Sequence, residues 1–409
     1  MKVKKLAIHW QILIAILLGA LLGVFLSDYV KYVQWAGDMF LRALRMIIIP
    51  IIFTSLTMGV ASIGGSSDLG RIAGKTFAFY VSTTLIAATL GLILVNIFQP
   101  GVGADVGLSE SIDSIAATQT SFIDQIVGII PANIFADMAN GNILPLIFFS
   151  ILFGFFITRV GEKSKSFMID FFSSTYDVII KITMFIIRLA PIGVFAIVAT
   201  MIGKQAGDMD KLLKTLSSLG LFVGIVWAGC LMQTFIILPA TVRFIGKANP
   251  WKHMSKMSTA ILTAFSTCSS AAALPISLRD TQEKVGVSNK IASFTLPLGA
   301  TVNMNGTALY ESVAVLFIAQ AYGIELTIIQ QIIVVATVLL AAIGTASIPM
   351  AGLVMISVVL SAVGLPLEGI GLVLAVEQLC DMPRTATNSY GDMCAAVVIA
   401  KSEGEVLKI

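Results

Sequence analysis

Charged side chains are scarce in this sequence. Only 12% of its 409 residues are Asp, Glu, Lys or Arg, and 57% are hydrophobic, whereas an ordinary soluble domain is about 25% charged. Apolar runs recur from residue 8 to residue 400, and no polar block between them is large enough to fold alone. Because so much apolar surface needs lipid as its solvent, we predict one all-α polytopic membrane domain over residues 1–409.

Residues for nucleophilic or metal chemistry are also few. The two histidines, His9 and His253, lie at the ends of apolar runs, and neither an HExxH nor a GxSxG motif is present. The four cysteines lack CxxC or Cys/His ligand spacing and are predicted to be small core residues. The net charge of +3 comes from scattered residues, so no nucleic-acid patch is indicated. These absences argue against an intramembrane enzyme.

Eight apolar stretches are long enough to cross about 30 Å of hydrocarbon, which takes roughly 20 helical residues. They lie at 8–27, 39–63, 76–98, 140–158, 172–202, 215–242, 291–321 and 365–400. Basic residues precede the first stretch and follow the second, fourth and sixth, whereas the loop 99–139 has five acidic residues and no Lys or Arg. By the positive-inside rule we expect both termini in the cytoplasm. The first stretch is too long for a typical signal peptide and is interpreted as a span.

Two further segments fit re-entrant hairpins better than full spans. Segment 257–278 has basic residues of the inside type beyond both ends, and its middle, 266–275, is small and polar. Segment 328–365 has no charge and is too long for one span but short for two. Its centre, 344–352, also has the composition of a hairpin tip. Two broken hairpins entered from opposite faces are what a binding site at the membrane midplane requires.

One cation lies alone deep in the last apolar stretch. Between Lys290 and Arg384 there is no other Lys or Arg, and a charge at membrane depth is costly unless it faces a cavity or a partner. Helical spacing places four more polar residues on its face. They are Glu377, Asp381, Asn388 and Asp392. A salt bridge that only holds helices together is the alternative, but three carboxylates against one guanidinium leave two negative charges, so we expect cations in this site.

The seventh apolar stretch carries Asn-Met-Asn-Gly at 303–306, in the middle of a membrane helix. Such a sequence is a poor helix and a source of free carbonyl groups, which suit hard cations such as sodium. A glycine kink filled by neighbouring side chains is the alternative interpretation.

Four motifs together resemble the dicarboxylate/amino acid:cation symporter family, which contains the glutamate transporters. They are the Ser-rich tip 266–275, Asn-Met-Asn-Gly-Thr at 303–307, Gly-Thr-Ala at 344–346 and Asp-Met-Pro-Arg-Thr-Ala-Thr-Asn at 381–388. The resemblance runs over essentially the whole chain in order. It implies the elevator fold: eight transmembrane helices, two re-entrant helical hairpins and a homotrimer. A transport part, approximately 71–100 and 215–405, would move against a scaffold of approximately 1–70 and 125–205.

The resemblance implies symport of an acidic amino acid, aspartate or glutamate, with sodium and/or protons across the cell (inner) membrane, without a cofactor. Arg384 would pair with the side-chain carboxylate of the substrate, and Asp381 would bind its α-amino group. The other matching substrate positions are Ser269, Ser270, Thr307, Ile348, Gly352, Thr385 and Asn388. A planar guanidinium can bind a carboxylate through two parallel hydrogen bonds, which is why arginine suits this role.

Three cation sites are implied in the same way. The first matches Gly299, Asn303, Asn388 and Asp392. The second matches Thr301, Ala342, Ile343 and Thr345, and the third matches Tyr80, Thr83, Thr84, Asn303 and Asn305. Ala342 replaces a Ser that would contribute only a backbone carbonyl. Asn305 stands where the family motif has Asp, which removes a charge from the third site and puts sodium binding there in question.

Glu311 is the candidate proton carrier. A carboxyl at this depth of the membrane is costly to ionise and could bind a proton near neutral pH. We hypothesise that proton use at Glu311 accompanies the charge missing at Asn305. A carboxyl that is hydrogen-bonded to neighbours without turnover is the alternative.

Other carriers and a channel stay open as alternatives. A cation-coupled C4-dicarboxylate transporter would use Arg384 equally well, although Asp381 would then face, and repel, a substrate without an amino group. A neutral amino acid carrier would leave the guanidinium without its anion. A passive channel would be separated from a carrier by concentrative uptake against a gradient.

Overall fold

The computed structural model describes residues 8–61, 67–104, 127, 130–140, 142–203, 209–343 and 351–409. Within those ranges the regular elements are helices, and no strand occurs among them. The α-helices are α1 (Ile8–Phe25), α2 (Gln34–Ala61), α3 (Ser67–Phe98), α4 (Ile134–Asn140), α5 (Ile143–Ile157), α6 (Glu162–Arg188), α7 (Ala190–Gly203), α8 (Met209–Met232), α9 (Pro250–Thr267), α10 (Ser270–Asp280), α11 (Asn289–Val302), α12 (Asn305–Ala321), α13 (Ile328–Ile343), α14 (Ala351–Ala362), α15 (Ile370–Leu374) and α16 (Glu377–Ser402). Helix α8 continues through two π-helical segments, Gln233–Ile237 and Thr241–Ile245, and the short α-helical segment Leu238–Ala240 between them. The four cysteines are buried and free, as predicted.

By length and composition, three helices of the described residues could cross a membrane alone. They span Gln34–Met58, Arg71–Phe98 and Leu213–Ile245. Helices α6 and α7 make a fourth if this pair, bent by 51°, is one span. Shorter apolar segments lie within α1, α5 and α13, at Trp10–Phe25, Pro145–Ile157 and Ile328–Ala342. The described part of the chain therefore has the predicted all-α architecture and is compatible with a polytopic membrane protein.

Helices α1, α2, α5, α6 and α7 pack on one another and are called here the N-terminal bundle. Helix α1 lies so close to α7 that a Cβ added at Gly19 would be 2.6 Å from the carbonyl oxygen of Phe195, so only glycine fits there. The rings of Phe53, Phe153 and Phe172 join α2, α5 and α6, with centroid distances of 5.4–6.0 Å.

Helix α12 is the centre of a second group, called here the site bundle, which consists of α3, α8–α14 and α16. Every residue of α12 from Asn305 to Ala319 is buried, because α3, α8, α13, α14 and α16 all pack around it. A Cβ added at Gly91 of α3 would lie 2.7 Å from the carbonyl oxygen of Leu309, so this glycine lets α3 approach α12.

The two groups meet mainly through the hairpin formed by α13 and α14. Helix α14 packs on α2 and α5, and α13 packs on α2. Ile52 and Leu56 of α2 lie with Met355 and Val358 of α14 around one small gap. The side chains at this contact are mostly apolar.

The first predicted hairpin is confirmed as a helical hairpin. Helices α9 and α10 pack against each other, and the chain reverses at Cys268, which has the left-handed backbone conformation (φ 50°). The hydroxyl of Ser269 then caps α10 by accepting a hydrogen bond from the Ala272 amide, 3.3 Å away. Helices α13 and α14 likewise pack together, but most of their predicted tip, 344–352, lies outside the described residues, which resume at Ala351.

Three of the predicted apolar stretches contain interrupted helices. The stretch 291–321 is interrupted at Asn303 and Met304, between α11 and α12. The stretch 365–400 is interrupted at Ala375 and Val376, between α15 and α16. The stretch 172–202 breaks at Leu189, before the first turn of α7, where Pro191 lacks the amide hydrogen that a continuous helix would use.

Residues 404–409, called here the C-terminal tail, lie against the segment that joins α10 to α11. The amide of Lys408 donates to the carbonyl oxygen of Val285 at 2.8 Å, and its side-chain Nζ donates to that of Glu283 at 2.9 Å. The amide of Ser288 donates to Glu405 Oε2, 2.9 Å away. The tail therefore fixes the base of the first hairpin to the end of α16.

Glu403, just before the tail, joins α16 to the start of α3. Its carboxylate accepts hydrogen bonds from Lys75 Nζ at 2.7 Å and Arg71 Nη2 at 2.5 Å. These bonds, first from Lys75 and then from Arg71, hold the pKa of Glu403 below its usual range.

Candidate functional site

The predicted polar stripe of α16 lies inside the site bundle. Glu377, Asp381, Arg384, Asn388 and Asp392 are all buried. A stripe of ionisable groups can lie there only if its members are paired or bind ligands. The arrangement of the stripe therefore decides what the protein can bind.

Arg384 is held along one edge of its guanidinium. Nε and Nη2 donate to Asp381 Oδ1 at 3.2 and 2.7 Å, and Nη2 lies 3.0 Å from Glu377 Oε1. The guanidinium carbon lies 4.6 Å from the centre of the Tyr310 ring, a favourable cation–π distance. Nη1 is buried and has no hydrogen-bond partner among the described residues. Within the described part of the chain, Arg384 Nη1 thus remains for a ligand.

Gly352, in the first turn of α14, lies directly against that nitrogen. A Cβ added at Gly352 would be 2.9 Å from Arg384 Cζ and closer still to Nη1. A Cβ at Gly306 would be similarly close to the Arg384 main chain, 2.8 Å from its Cα. Glycine at these two positions is what lets α12 and α14 enclose Arg384.

The acids beside Arg384 are bound by hydroxyl groups as well. Tyr310 donates a short hydrogen bond to Glu377 Oε2. The hydroxyl of Thr385 donates to Asp381 Oδ1 at 2.9 Å. This oxygen therefore accepts three hydrogen bonds, two from Arg384 and one from Thr385.

Asn388 joins α16 to the interruption between α11 and α12. Its Oδ1 accepts from the amides of Gly306 at 2.7 Å and Thr307 at 3.3 Å, and so caps the first turn of α12, which has no helical acceptors of its own. Its Nδ2 donates to Thr307 Oγ1 at 3.0 Å. The predicted substrate residues Thr307 and Asn388 are therefore in contact.

The tip of the first hairpin reaches the same helix. Ser270 Oγ and Ser389 Oγ are 3.2 Å apart, which brings the tip onto α16 next to Asn388. Ser269 is half-buried and caps α10. Of the predicted substrate positions, Ile348 lies outside the described residues.

The residues predicted for the first cation site converge at the same interruption. Asn303 Nδ2 donates to Asp392 Oδ1 at 2.9 Å, and the Asn303 amide donates to the carbonyl oxygen of Gly299 at 2.8 Å. A Cβ at Gly299 would lie 2.6 Å from the hydroxyl of Tyr80 and closer still to Asp392. Gly299, Asn303 and Asp392 thus form one oxygen-rich cluster with a carboxylate, which suits a hard cation.

The second predicted cation site is described in part. Thr301 is half-buried on α11, and its hydroxyl donates to the carbonyl oxygen of Leu298 at 3.0 Å. Ala342 is buried near the end of α13, which closes at Ile343 and packs against α11. Thr345 lies outside the described residues.

The third predicted cation site lies between α3 and the interruption. Thr83 Oγ1 is 3.4 Å from Asn303 Oδ1, and Thr84 Oγ1 donates to Asn305 Oδ1 at 2.9 Å. The Tyr80 hydroxyl donates to the carbonyl oxygen of Thr295 at 2.7 Å. These residues lie close together, and Asn305 Nδ2 is a buried donor with no partner among the described residues.

A sequence comparison decides the family. The profile of the sodium:dicarboxylate symporter family matches residues 8–402. The chain belongs to this family. The resemblance drawn from the four motifs is therefore confirmed.

Members of the sodium:dicarboxylate symporter family with known names are similar over almost the full length. The chain is 35% identical to the proton/sodium-glutamate symport protein of Bacillus caldotenax, over 98% of this chain and 96% of that protein. It is 34% identical to the proton/glutamate-aspartate symporter of Escherichia coli K12, over 98% and 94%. It is also 34% identical to the C4-dicarboxylate transport protein of Bacillus subtilis 168, over 97% and 93%.

Glu311, the candidate proton carrier of this family member, is fully enclosed. It follows Tyr310 on α12 and has no solvent-exposed surface. Neither of its carboxyl oxygens has a hydrogen-bond partner in the described part of the chain. A carboxyl in such surroundings is costly to keep charged unless an ion joins it.

Tyr310 is the site residue that sequence reasoning missed. It contacts both Arg384 and Glu377. A signal was available, because Tyr310 follows Thr307 by three residues and so lies on the same face of α12. The pairing with Glu377, 67 positions away, required the fold.

Proposed function

We propose that this protein is a secondary active symporter that takes up an acidic amino acid, aspartate or glutamate, together with cations. The observation that carries the proposal is the buried Arg384, whose Nη1 has no partner among the described residues while Asp381 lies against its other edge. A free guanidinium nitrogen attracts a carboxylate, and a neighbouring buried carboxylate attracts an ammonium group. An acidic amino acid has both groups.

The nearest alternative is a cation-coupled C4-dicarboxylate transporter, since relatives with both names are similar to this chain. Such a substrate would use Arg384 but bring a second carboxylate toward Asp381. Because like charges at close range repel, the acidic amino acid is favoured. A neutral amino acid would leave Nη1 unpaired, which is costly in a buried site.

The cations would be cargo, sodium and/or protons. The stripe holds three carboxylates against Arg384, and an acidic substrate adds about one more negative charge. We expect one sodium at Gly299, Asn303, Asn388 and Asp392, and a second at Thr301, Ala342, Ile343 and Thr345. Protonation of Glu311 would supply a further positive charge. Co-bound cations would thus offset the charge of the substrate.

We infer further that eight spans and two hairpins work by an elevator motion in a homotrimer, in a cell membrane, with both termini cytoplasmic. The transport part would comprise approximately 71–100 and 215–405, and the scaffold approximately 1–70 and 125–205. Two packed groups of helices support this division. Their apolar contact through α14 supports it too, since apolar side chains form no directional bonds that sliding would break.

Uptake of labelled aspartate into proteoliposomes would test the proposal, with sodium and proton gradients imposed separately. We expect accumulation above the external concentration with at least one gradient, and competition by glutamate more than by succinate or serine. Arg384→Lys should abolish uptake because lysine lacks the planar fork, whereas Arg279→Lys, at an exposed side chain, should not. Uptake driven by neither gradient would remove the coupling claim, and stronger competition by succinate would favour the alternative.

A further inference from the structure

We propose that the third cation pocket of this chain binds no cation, because the side chain of Asn305 occupies the position of the cation. Aspartate binding is then coupled to one cation fewer than it would be in a protein with Asp at position 305. The inference rests on the proposed function. It concerns the number of coupled cations rather than the identity of the substrate.

Asn305 lies at the start of α12 with no exposed surface. Its Oδ1 accepts a hydrogen bond from Thr84 Oγ1 at 2.9 Å. The same side of α3 contributes Thr83, which lies 3.4 Å from Asn303 Oδ1. The amide oxygen of Asn305 thus already accepts from the Thr84 hydroxyl, whereas the Thr83 hydroxyl donates at shorter range, 2.9 Å, to the carbonyl oxygen of Phe79.

The amide nitrogens of Asn303 and Asn305 converge on one point of α16. A Cβ added at Gly391 would lie 2.7 Å from Asn305 Nδ2 and 2.8 Å from Asn303 Nδ2. Asn305 Nδ2 has no hydrogen-bond acceptor in the described part of the chain. Amide hydrogens carry positive partial charge, and a hard cation binds oxygen lone pairs instead. The side of the pocket next to α16 therefore presents amide donors, which a cation cannot use as ligands, while Asn305 Oδ1 on the α3 side already accepts from Thr84.

The absence of a charge on Asn305 also argues against a cation in this pocket, whichever way its side-chain amide is turned. An asparagine is neutral in both orientations. The carboxylate that reaches this region is Asp392, which accepts from Asn303 Nδ2 at 2.9 Å and also belongs to the first cation site. A carboxylate at 305 would add a negative charge next to a cation in this pocket, whereas the amide adds none.

The test is the sodium dependence of aspartate binding to the purified full-length protein, measured by calorimetry without any transport step. The slope of log affinity against log sodium concentration gives the number of sodium ions taken up with the substrate. Asn305→Asp should raise this slope by about one, because one additional cation becomes linked to substrate binding. Asn289→Asp is the matched control, since it adds the same charge at an exposed helix start and should leave the slope unchanged.

Thr84→Val provides an independent arm. In the natural sequence it should leave the slope unchanged, because Thr84 has no cation to hold. Combined with Asn305→Asp it should lower the slope again. The proposal is overturned if Asn305→Asp has the natural slope, or if Thr84→Val lowers the slope of the natural protein.

Failure of the proposed function gives a different result. In that case the natural protein binds no aspartate at any sodium concentration or pH. A natural slope of zero, expected for a carrier driven by protons alone, leaves the comparison with Asn305→Asp intact. If Asn305→Asp does not fold, the Thr84→Val measurement in the natural protein still decides.

Discussion

The glycine at 352 gives the sharpest test of the substrate site. A Cβ at this position would lie 2.9 Å from Arg384 Cζ and closer to Nη1, the nitrogen without a partner among the described residues. The guanidinium cannot retreat freely, because Nη2 is held 2.7 Å from Asp381 Oδ1. Gly352→Ala should therefore block the nitrogen that we assign to the substrate carboxylate.

The expected loss of affinity follows from the hydrogen bond between Arg384 Nη1 and the substrate carboxylate that Gly352→Ala would remove. A hydrogen bond to a charged group contributes about 1.5–3 kcal/mol, and each 1.4 kcal/mol changes an affinity about tenfold. We expect Gly352→Ala to weaken aspartate binding by about 10-fold to 150-fold. Helix propensity by itself would make α14 more stable in this variant, since alanine is favoured over glycine in a helix by up to about 1 kcal/mol.

Calorimetric titration of aspartate at saturating sodium would measure the effect. Gly220→Ala in α8 is the matched control, because an added Cβ there meets no atom within 4 Å. The control should bind aspartate like the natural protein. Natural affinity in Gly352→Ala would refute the assignment of Nη1 to the substrate.

Three further predictions concern other side chains described above. Glu311→Gln should abolish the pH dependence of aspartate uptake in proteoliposomes, and an unchanged pH profile would refute its role as proton carrier. Tyr310→Phe should lower the unfolding free energy in detergent by about 1–3 kcal/mol, because Glu377 loses its hydroxyl donor in a buried site; an unchanged melting temperature would contradict this. Glu403→Gln should lower the melting temperature at neutral pH. The pKa of Glu403 is depressed in the folded protein, so the stabilisation by its carboxylate is present above the ordinary glutamate pKa of about 4.3. This stabilisation is lost as the pH falls through the folded-state pKa. A difference in melting temperature between Glu403→Gln and the natural protein that persists below that pKa would contradict the prediction.

Local sequence signals predicted much of the site. The stripe from Glu377 to Asp392 follows from helical spacing alone. The interruption at Asn303 follows from residues that favour neither a helix interior nor full burial, and the hairpin tip at Cys268 follows from a run of small polar residues. Each of these signals is contained in a short window of sequence.

Other features depend on contacts between distant parts of the chain. The residues at the interruption, Ala375 and Val376, do not mark it in the sequence, since both are apolar and neither is proline or glycine. The pairing of Tyr310 with Glu377 and the attachment of Lys408 to Val285 join positions that no periodicity connects. Such contacts are set by packing, which a local pattern does not encode.

The hydrogen bonds between the C-terminal tail and the segment after the first hairpin form late in synthesis. The amide of Ser288 donates to Glu405, which is synthesised 117 positions later in the chain. At a synthesis rate of about 5–20 residues per second, that delay is on the order of 10 s. During this interval the first hairpin and α11 must insert into the membrane without the hydrogen bonds from the C-terminal tail. The base of the first hairpin is thus fixed only after α16 and the C-terminal tail have been synthesised.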